Sequence, residues 1–557
     1  MRFIEDASEE KLRGGFYTPE KIASFVLKWA INGNKDYDIL EPSCGDGIFL
    51  EQIKKNNFDN KSITAIELDP FESSKAKKIN LKNSEVITGD FFKFCNSTKK
   101  RFNLVIGNPP YIRYQYFNKE QRNEAEKIFK KANLKYSKLT NAWVSFVVGS
   151  SLLLKEKEKG KIAFVLPAEI LQVSYAKQLR DFLAHFYNNI SIVSFKKLVF
   201  PNIQQEVVLL LCERNLDDNS HLIEHLEIND ADDLKKIDVN KLKTPKKKID
   251  FKNNKWTFYF LSQSEINFLE KIINDKKIKP LNNFCKIEVG MTMGSNAFFT
   301  VSEDIVNRYN LKKYALPLVG RSVQIKGVNF TKEDWEMNVK KGSNTFFLNF
   351  PNIKNIQQNK QALRYIREGE NKGINKWYKC GIRDEWQKVP SVWISDGLFI
   401  RRNNIYPRLI INDVKAYTTD TMHRVSINKG VDIKSLIGSY YNSLSFAFAE
   451  LFGRSHGGGV LELMPSEAGN ILIPYDEKNK ILFKKIDEML KKGKKIDEII
   501  LITDKIILSE NYGFTDEEIK KINSIWKKLL NRRLNRNKKV KLFQDKKVLP
   551  VLLEGNK

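Results

Sequence analysis

Short runs rich in β-branched residues alternate with amphipathic stretches between about residues 14 and 214. Seven runs have the pattern of strands: Tyr37–Leu40, Ile63–Leu68, Glu85–Thr88, Asn103–Asn108, Lys161–Pro167, Ile190–Lys197 and Gln205–Glu213. Helical patterns accompany them, for example at Pro19–Ala30, Gly47–Lys55 and Asn141–Leu154. Such alternation is typical of a mostly parallel sheet covered by helices on both faces. The connection between the last two runs is short, so we expect these two to form an antiparallel hairpin. The sequence predicts an α/β domain over residues 1–214.

The rest of the chain follows other patterns. At 557 residues it is too long for one ordinary core, so two or more domains are expected. Residues 215–254 are polar and indicate a linker or an exposed excursion. Residues 255–475 lose the regular alternation and carry many aromatic, glycine and basic residues, which indicates a second domain of mixed α+β structure. Residues 476–557 are helical in pattern and strongly basic, so we expect a C-terminal helical segment.

The net charge is +28, because 95 Lys and Arg residues face 67 Asp and Glu residues. A charge of this size attracts a polyanion such as nucleic acid. An AT-rich genome, which raises lysine content everywhere, would explain part of the same excess. No run approaches the roughly 20 apolar residues that a membrane span needs, and the N-terminus has no apolar signal core. The five cysteines are scattered, so we expect reduced thiols in the cytoplasm and no metal site.

The segment Asp38–Leu50 has the order strand, small-residue turn, helix. Ligands of open α/β sheets bind beside such turns, at the carboxyl ends of strands. Gly45 and Gly47 allow the backbone to approach a ligand closely. A dinucleotide site would need Gly-x-Gly-x-x-Gly to hold a pyrophosphate, but that motif is absent and Glu41 ends the strand. An acidic group here favours a ligand with a positive end, such as the amino-acid portion of S-adenosylmethionine.

Two further strands end in acidic residues. Glu67 ends the second strand, about 20 residues after the glycines, where a carboxylate can accept hydrogen bonds from ribose hydroxyls. Asp90 ends the third strand and can accept a hydrogen bond from an adenine amino group, while Phe91 can lie against the ring. Each acidic residue alone is more often a helix cap or a turn residue. Their succession at consecutive strand ends indicates a nucleoside-containing cofactor.

The fourth strand ends in Asn108, Pro109, Pro110 and Tyr111. With the preceding Thr18–Pro19 element and the cofactor loop, this order resembles γ-class N6-adenine DNA methyltransferases of restriction–modification systems. The resemblance is close over residues 14–214 and looser beyond, at Gly320–Arg321 and Gly453–Leu463. It implies a Rossmann-like S-adenosylmethionine-dependent methyltransferase domain, followed by a DNA target-recognition domain and the helical segment.

The resemblance also assigns roles to individual residues. The residues that it implies for cofactor binding are Thr18, Glu41, Pro42, Ser43, Cys44, Gly45, Glu67, Asp90, Phe91 and Pro110. The catalytic tetrapeptide that it implies is Asn108, Pro109, Pro110 and Tyr111. Because a base inside a duplex cannot reach such a pocket, the target adenine is expected to flip out. Tyr111 and Phe200, the latter in the connection between the last two strands, are expected to stack on it.

The expected catalytic chemistry follows from the target amine. An aromatic amine is a poor nucleophile because its lone pair is delocalised into the ring. The side-chain oxygen of Asn108 and the carbonyl of Pro109 can accept its two N–H groups and thereby free the lone pair. The prolines fix φ and remove competing donors. Rate acceleration comes from positioning and electrostatics, with no metal involved.

The second half is expected to bind double-stranded DNA and to recognise its base sequence. Arg321, Arg401 and Arg402 are the candidates, since Arg commonly reads guanine and binds phosphate. We expect a monomer in the cytoplasm of a bacterium or archaeon, associated with the nucleoid through DNA. A cognate restriction endonuclease encoded separately is the expected partner.

Two other kinds of function remain open at this point. Asn-Pro-Pro-Tyr also occurs in enzymes that methylate RNA or protein glutamine, but these are typically short, whereas about 340 residues follow the catalytic half here. A non-enzymatic DNA-binding protein would explain the charge but not the complete set of motifs. A 5-methylcytosine enzyme would need a Pro-Cys dipeptide, which the sequence lacks.

Overall fold

The fold is described from a computed structural model of the 557-residue chain. The described residues are 17–33, 36–112, 116–137, 140–200, 205–239, 244–250, 255–456 and 458–535. They divide into two compact units. The first extends to Gln263, and the second comprises Ser264–Ser455 and Gly459–Arg533.

The first unit contains nine strands of one sheet. Its strands are β1 Asp38–Glu41, β2 Ser62–Glu67, β3 Ser84–Thr88, β4 Leu104–Gly107, β5 Gly160–Pro167, β6 Asn189–Phe195, β7 Val207–Arg214, β8 Leu222–Ile228 and β9 Lys247–Lys248. Its helices are α1 Glu20–Ile31, α2 Ile48–Lys55, α3 Pro70–Lys78, α4 Phe91–Ser97, α5 Lys119–Lys131, α6 Ala142–Leu152 and α7 Lys177–Phe186.

The strand order is β3-β2-β1-β4-β5-β7-β6-β8-β9. Strands β1 to β5 pair in parallel, and β7 pairs antiparallel with both β5 and β6. The chain order reverses between β1 and β4, and such a reversal opens the crevice in which doubly wound sheets bind ligands. The predicted α/β fold and the predicted closing hairpin are therefore confirmed.

The segment predicted as a linker, residues 215–254, contributes instead to the sheet. Strand β8 pairs in parallel with the full length of β6 and is followed by β9. Its apolar residues are interrupted by Glu224, His225 and Glu227, which obscured the strand among the charged residues around it. One of these, Glu224, is buried and accepts hydrogen bonds from Ser191 and Thr244. The compact unit consequently reaches Gln263 rather than ending at Arg214.

The second unit is built from shorter elements. Its strands are β10 Lys279–Pro280, β11 Cys285–Val289, β12 Thr300–Val301, β13 Ala315–Val319, β14 Asn329–Phe330, β15 Phe346–Leu348, β16 Gly397–Ile400, β17 Arg402–Asn403, β18 Leu409–Asn412, β19 Tyr417–Thr418, β20 Met422–Ile427, β21 Arg454–His456, β22 Val460–Glu462 and β23 Leu472–Ile473. Its helices are α8 Gln263–Ile273, α9 Asn296–Phe299, α10 Glu303–Arg308, α11 Lys332–Lys340, α12 Lys360–Asn371, α13 Tyr378–Gly381, α14 Ile433–Tyr440, α15 Ser443–Phe452, α16 Pro465–Gly469, α17 Lys480–Lys491, α18 Ile496–Asp504 and α19 Asp516–Leu534. This is the mixed α and β content that the sequence predicts for this region.

The strands of the second unit form four small sheets. Their orders are β11-β20-β16-β18-β14, β12-β15-β13-β19, β17-β22-β21 and β10-β23. The β17-β22-β21 sheet joins segments that are about 50 residues apart in sequence. None of the helices in the described ranges is long and apolar enough to cross a membrane.

The C-terminal helices pack as part of the second unit. At the end of α19, Arg533 forms a buried ion pair with Glu450 of α15, with Nη2–Oε1 and Nε–Oε2 distances of 2.6 and 3.0 Å. The guanidinium also donates to the carbonyl of Asn404 at 2.7 Å. The predicted separate helical segment is thus joined to the domain before it, while residues 536–557 lie outside the described residues.

We predict that Arg533→Met destabilises the protein by about 3–5 kcal/mol, because it leaves the buried carboxylate of Glu450 without its partner. Urea unfolding of the full chain measures the change. The double variant Arg533→Met/Glu450→Met should recover much of the loss, since it removes both charges. The control Arg364→Met changes an exposed arginine and should stay close to wild type. A near-wild-type midpoint for Arg533→Met alone would contradict the role of the pair.

Candidate active site

Two loops meet at the carboxyl edge of the sheet because β1 and β4 are neighbours. Ile39 pairs with Leu104 and Leu40 pairs with Val105, in parallel. The loop after β1 therefore starts beside the tetrapeptide that follows β4. Ser43 Oγ donates a weak hydrogen bond of 3.4 Å to the backbone carbonyl of Asn108. The structure thus brings together the cofactor loop and the catalytic tetrapeptide of the sequence analysis.

Backbone geometry explains the glycines of the first loop. Gly45 and Gly47 have φ values of 55° and 95°, which side chains other than glycine rarely adopt. A Cβ at Gly47 would also lie 2.4 Å from Cδ1 of Ile79, so α2 begins in close contact with the end of α3. A hydrogen bond to β2 also fixes the loop, because the amide of Cys44 donates to the carbonyl of Ile66 at 2.9 Å.

Glu41, the last residue of β1, has an unusual environment for a charged residue. Its side chain is buried at 1% exposure, and neither carboxylate oxygen has a hydrogen-bond partner among the described residues. Burial raises the pKa of Glu41 well above its usual value, and nearby Asp46 and Glu67 raise it further. A buried carboxylate of this kind is costly unless a cation or donors compensate it. The ammonium group of S-adenosylmethionine has the charge and the donors to do so, so the loop fits this cofactor.

Glu67 performs a structural task at the end of β2. Its two carboxylate oxygens accept hydrogen bonds from the amides of Gly45 and Asp69, at 2.8 and 2.9 Å. These bonds tie the cofactor loop to the adjacent strand end. Burial nevertheless raises the pKa of Glu67. A carboxylate has further lone pairs, so contact with ribose hydroxyls remains a prediction.

Asp90 is the N-cap of α4, with Oδ1 accepting from the amides of Phe92 and Lys93 at 2.7 and 3.3 Å. Asp90 therefore has the helix-capping role that the sequence analysis considered for each acidic residue. Phe91 is buried and stacked on Phe146 of α6, with 4.9 Å between ring centroids. The contacts of Asp90 and Phe91 with adenine stay predictions. Phe146 is a further candidate, which no motif indicates, because α6 is buried on all sides.

Asn108 and Tyr111 are linked by a hydrogen bond. The Tyr111 hydroxyl lies 2.9 Å from Oδ1 of Asn108 and 3.2 Å from the carbonyl of Val165, and can donate to either. Burial raises the pKa of Tyr111, which keeps the hydroxyl protonated as a donor. This contact identifies Oδ1 as an acceptor. Within the described ranges nothing donates to the Pro109 carbonyl, the second expected acceptor.

The remaining predicted residues of this unit lie close by. Thr18, Pro42 and Cys44 are buried, and Pro110 is half-buried. Phe200 is 4% exposed and belongs to the same apolar cluster against which Tyr111 packs. The structure therefore places both predicted stacking rings in one cluster, with Phe200 buried in it. Pro201 lies outside the described residues.

The three candidate DNA-binding arginines lie in the second unit. Arg321 is exposed in the turn after β13. Arg401 and Arg402 both donate through Nε to Oε1 of Glu462, each at 3.0 Å. Arg402 retains a side-chain exposure of 66%, whereas that of Arg401 is 22%. Their contact with DNA remains a prediction.

Comparison with known proteins extends this picture. Residues 22–200 match the family of Eco57I restriction-modification methylases, and residues 253–508 match the C-terminal domain of the type II methyltransferase M.Eco57I. The two matches follow the two compact units in order. The chain belongs to the Eco57I family of restriction-modification methylases.

Individual proteins are similar to this chain over different parts of its length. The type II methyltransferase M.AccI of Acinetobacter calcoaceticus is 27% identical over 535 residues, covering 89% of this chain and 93% of the relative. A tRNA1(Val) (adenine(37)-N6)-methyltransferase of Haemophilus influenzae is 28% identical over 138 residues, which is 24% of this chain and 54% of that protein. The structure of the type IIL restriction-modification enzyme MmeI in complex with DNA has a similar fold, with a TM-score of 0.57 and 12% identity. The match covers 92% of this chain and 75% of that chain.

These findings confirm the coarser part of the sequence-based hypothesis. The Eco57I-family methylase is a type II restriction-modification methyltransferase with a methyltransferase domain and a second, mixed domain. S-adenosyl-L-methionine is its expected cofactor. The residues that would hold the cofactor and the target base stay predictions.

We predict that Glu41→Gln weakens binding of S-adenosylmethionine about 10- to 150-fold, because it removes a charge-assisted contact to the ammonium group. Isothermal titration calorimetry measures the affinity. Glu51→Gln on the exposed side of α2 is the matched control and should bind normally. Wild-type affinity in Glu41→Gln would contradict the role of Glu41.

We also predict that Glu41→Gln stabilises the cofactor-free protein. The folded state retains a proton on Glu41 that the unfolded state releases above the ordinary pKa of 4.5. Wild-type stability contributed by that protonation is therefore lost as pH rises through the raised pKa. The melting temperature of the variant should exceed that of wild type by a margin that grows between pH 5 and pH 8. A margin independent of pH would show that the carboxyl titrates normally.

Proposed function

We propose that this methylase is a site-specific DNA adenine-N6 methyltransferase and the modification enzyme of a type II restriction–modification system. Its proposed substrate is an adenine flipped out of double-stranded DNA. One observation supports this most strongly: two amine acceptors at Asn108 and Pro109 lie beside the loop of Glu41. We further propose that it acts as a monomer in the cytoplasm, with a separately encoded restriction endonuclease as partner.

The protein's part in the chemistry begins with the target amine. Asn108 Oδ1 and the Pro109 carbonyl accept its two N–H groups, which draws the nitrogen toward tetrahedral geometry and frees its lone pair. Oδ1 is oriented for this by the Tyr111 hydroxyl. Because the acceptors are fixed before the substrate arrives, little reorganisation is needed during the reaction.

The same residues hold the base. The Tyr111 ring offers its π-face to an adenine whose ring gains positive charge during transfer. Phe200 would supply the second aromatic surface. Since Phe200 is buried against the cluster that contains Tyr111, stacking requires the base to enter next to this cluster.

The cofactor loop supplies binding and orientation. S-adenosylmethionine, when bound, provides an activated methyl group on a sulfonium centre. Glu41 neutralises the ammonium end, the Gly45–Gly47 turn permits close backbone approach, and Glu67 keeps the turn in place. Phe91 and Phe146 would line the part of the site that holds the adenine ring of the cofactor.

A methyltransferase of RNA or protein is the main alternative. The relative that methylates tRNA matches only about a quarter of this chain, within a shared catalytic domain. The second unit matches the C-terminal domain of a type II methyltransferase over residues 253–508, which favours DNA as the substrate. A non-enzymatic DNA-binding protein would not need the buried carboxylate of Glu41 beside the two amine acceptors.

We predict that Asn108→Ala lowers methyl transfer to duplex DNA by a factor of about 10²–10³, because one of the two amine acceptors is lost. Transfer of tritiated methyl groups to genomic DNA, tRNA and protein is measured in parallel. Cofactor affinity should stay within about threefold of wild type. Asn108→Asp, which keeps acceptor oxygens, should retain more activity than Asn108→Ala. Near-normal turnover in Asn108→Ala would contradict the mechanism, and preferential labelling of tRNA or protein would contradict the substrate.

We predict that 2-aminopurine at the target position becomes strongly fluorescent when the protein binds, because the base leaves the stack. Phe200→Leu keeps apolar volume but removes the ring, so the signal should fall by a factor of about five or more if stacking contributes roughly 1–3 kcal/mol. Phe195→Leu changes another buried ring of the same cluster and is the control. Equal signals for both variants would show that Phe200 only packs.

A further inference from the structure

The β17-β22-β21 sheet joins two segments that are separate in sequence. Arg402 of β17 lies directly opposite Glu462 of β22, and Arg454 of β21 lies on the other side of β22. Arg401 immediately precedes β17. We call Arg401, Arg402 and Arg454 the arginine cluster. All of its members lie in the second compact unit.

Each arginine of the cluster is held in the same manner. Arg401 and Arg402 donate through Nε to one oxygen of Glu462, and Arg454 donates through Nε to Oε1 of Glu467 at 2.7 Å. The side chains of the two carboxylates are only 7% and 5% exposed. The two carboxylates are therefore buried, while the arginine side chains that contact them are more exposed, at 22%, 66% and 23%.

Binding through Nε leaves the opposite end of a guanidinium for another partner. Arg402 and Arg454 form no other hydrogen bond within the described ranges, and Arg401 adds a long contact of 3.4 Å to the Asp420 carbonyl. The two terminal nitrogens form a planar fork that matches acceptor pairs. Phosphate oxygens and the O6 and N7 atoms of guanine are such pairs in DNA.

Stability alone does not account for the cluster. One arginine suffices to neutralise the Glu462 carboxylate, yet two share it. The second, Arg402, is 66% exposed, and exposed ion pairs contribute little to folding. The cluster thus has three positive charges against two negative ones, with the surplus on its most exposed member.

We propose that the arginine cluster is a DNA-contact surface, in which Glu462 and Glu467 are positioning residues that present the guanidinium forks to the duplex. The inference rests on the proposed function in that it takes double-stranded DNA as the substrate. It adds Arg454, which the sequence analysis placed in the Gly453–Leu463 segment without a DNA-binding role, as a further contact.

The test measures binding of the full-length protein to two fluorescent duplexes by anisotropy, across a series of salt concentrations. One duplex carries the methylation site mapped by sequencing, and the other is a scrambled duplex of equal length. Arg402→Ala and Arg454→Ala should each weaken binding about fivefold or more. Arg364→Ala removes the same charge from an exposed ion pair on α12 and should change affinity less than about twofold.

The dependence on salt and sequence identifies the acceptor. Equal losses on both duplexes, with the salt slope reduced by about 0.9 for each lost contact, indicate phosphate. A loss confined to the site-bearing duplex indicates a guanine edge. Either result supports the proposal. If Arg402→Ala and Arg454→Ala both behave like Arg364→Ala, the proposal is wrong.

Glu462→Leu separates positioning from simple charge. The substitution makes the protein more positive, so long-range electrostatics alone would tighten DNA binding. Loss of positioning instead weakens it, which is the result we expect. Melting temperature and cofactor affinity show whether the variant is folded. If it is not folded, Arg402→Ala tests the DNA contact instead. Tighter binding by folded Glu462→Leu would overturn the positioning role.

The inference and the proposed function can fail separately. If the wild-type protein binds duplexes through Arg402 and Arg454 but forms no N6-methyladenine, the proposed chemistry is wrong and the contact surface stands. If it forms N6-methyladenine while the arginine variants bind like wild type, only the inference falls. Absence of duplex binding by the wild-type protein would overturn both.

Discussion

Parallel pairing of β1 with β4 is the constraint on which the active site depends. Only these two strands lie on either side of the reversal in strand order, so only their following loops open into the same crevice. The loop after β1 begins at the buried carboxylate of Glu41 and contains two tight glycines, and the loop after β4 carries the two proposed amine acceptors. Neither loop has a function alone, because methyl transfer needs a bound donor and an oriented amine at one place.

Buried carboxylates distinguish functional from structural parts of this protein. Glu450 and Glu462 are buried beside arginines that neutralise them, as a stable fold requires. Glu41 is buried equally deeply, but both its oxygens lack partners among the described residues. Natural proteins retain such unfavourable groups where function requires them. The destabilised carboxylate of Glu41 is therefore the strongest physical indication of a cationic ligand.

The sequence predicted the catalytic half well because its signals are local. Strands such as β4 and β7 are short apolar runs, and acidic or Asn-Pro residues lie at or just after the ends of β1 to β4. Strand β8 was missed because Glu224, His225 and Glu227 interrupt its apolar residues within a polar region of the chain. The capping bonds of Asp90 and the anchoring bonds of Glu67 depend on backbone amides whose positions no motif specifies. In the second unit, Arg402 and Glu462 meet across 60 residues, a pairing that only the fold determines.

The proposed reaction requires that the amine acceptors after β4 act on adenine in DNA. It is tested most directly by mass spectrometry of nucleosides from the DNA of cells that lack adenine methylation of their own and express this protein. Wild-type protein should produce N6-methyl-2′-deoxyadenosine, and Asn108→Ala should produce far less of it. Methylation of cytosine instead of adenine, or an unmodified genome with a folded, cofactor-binding protein, would contradict it.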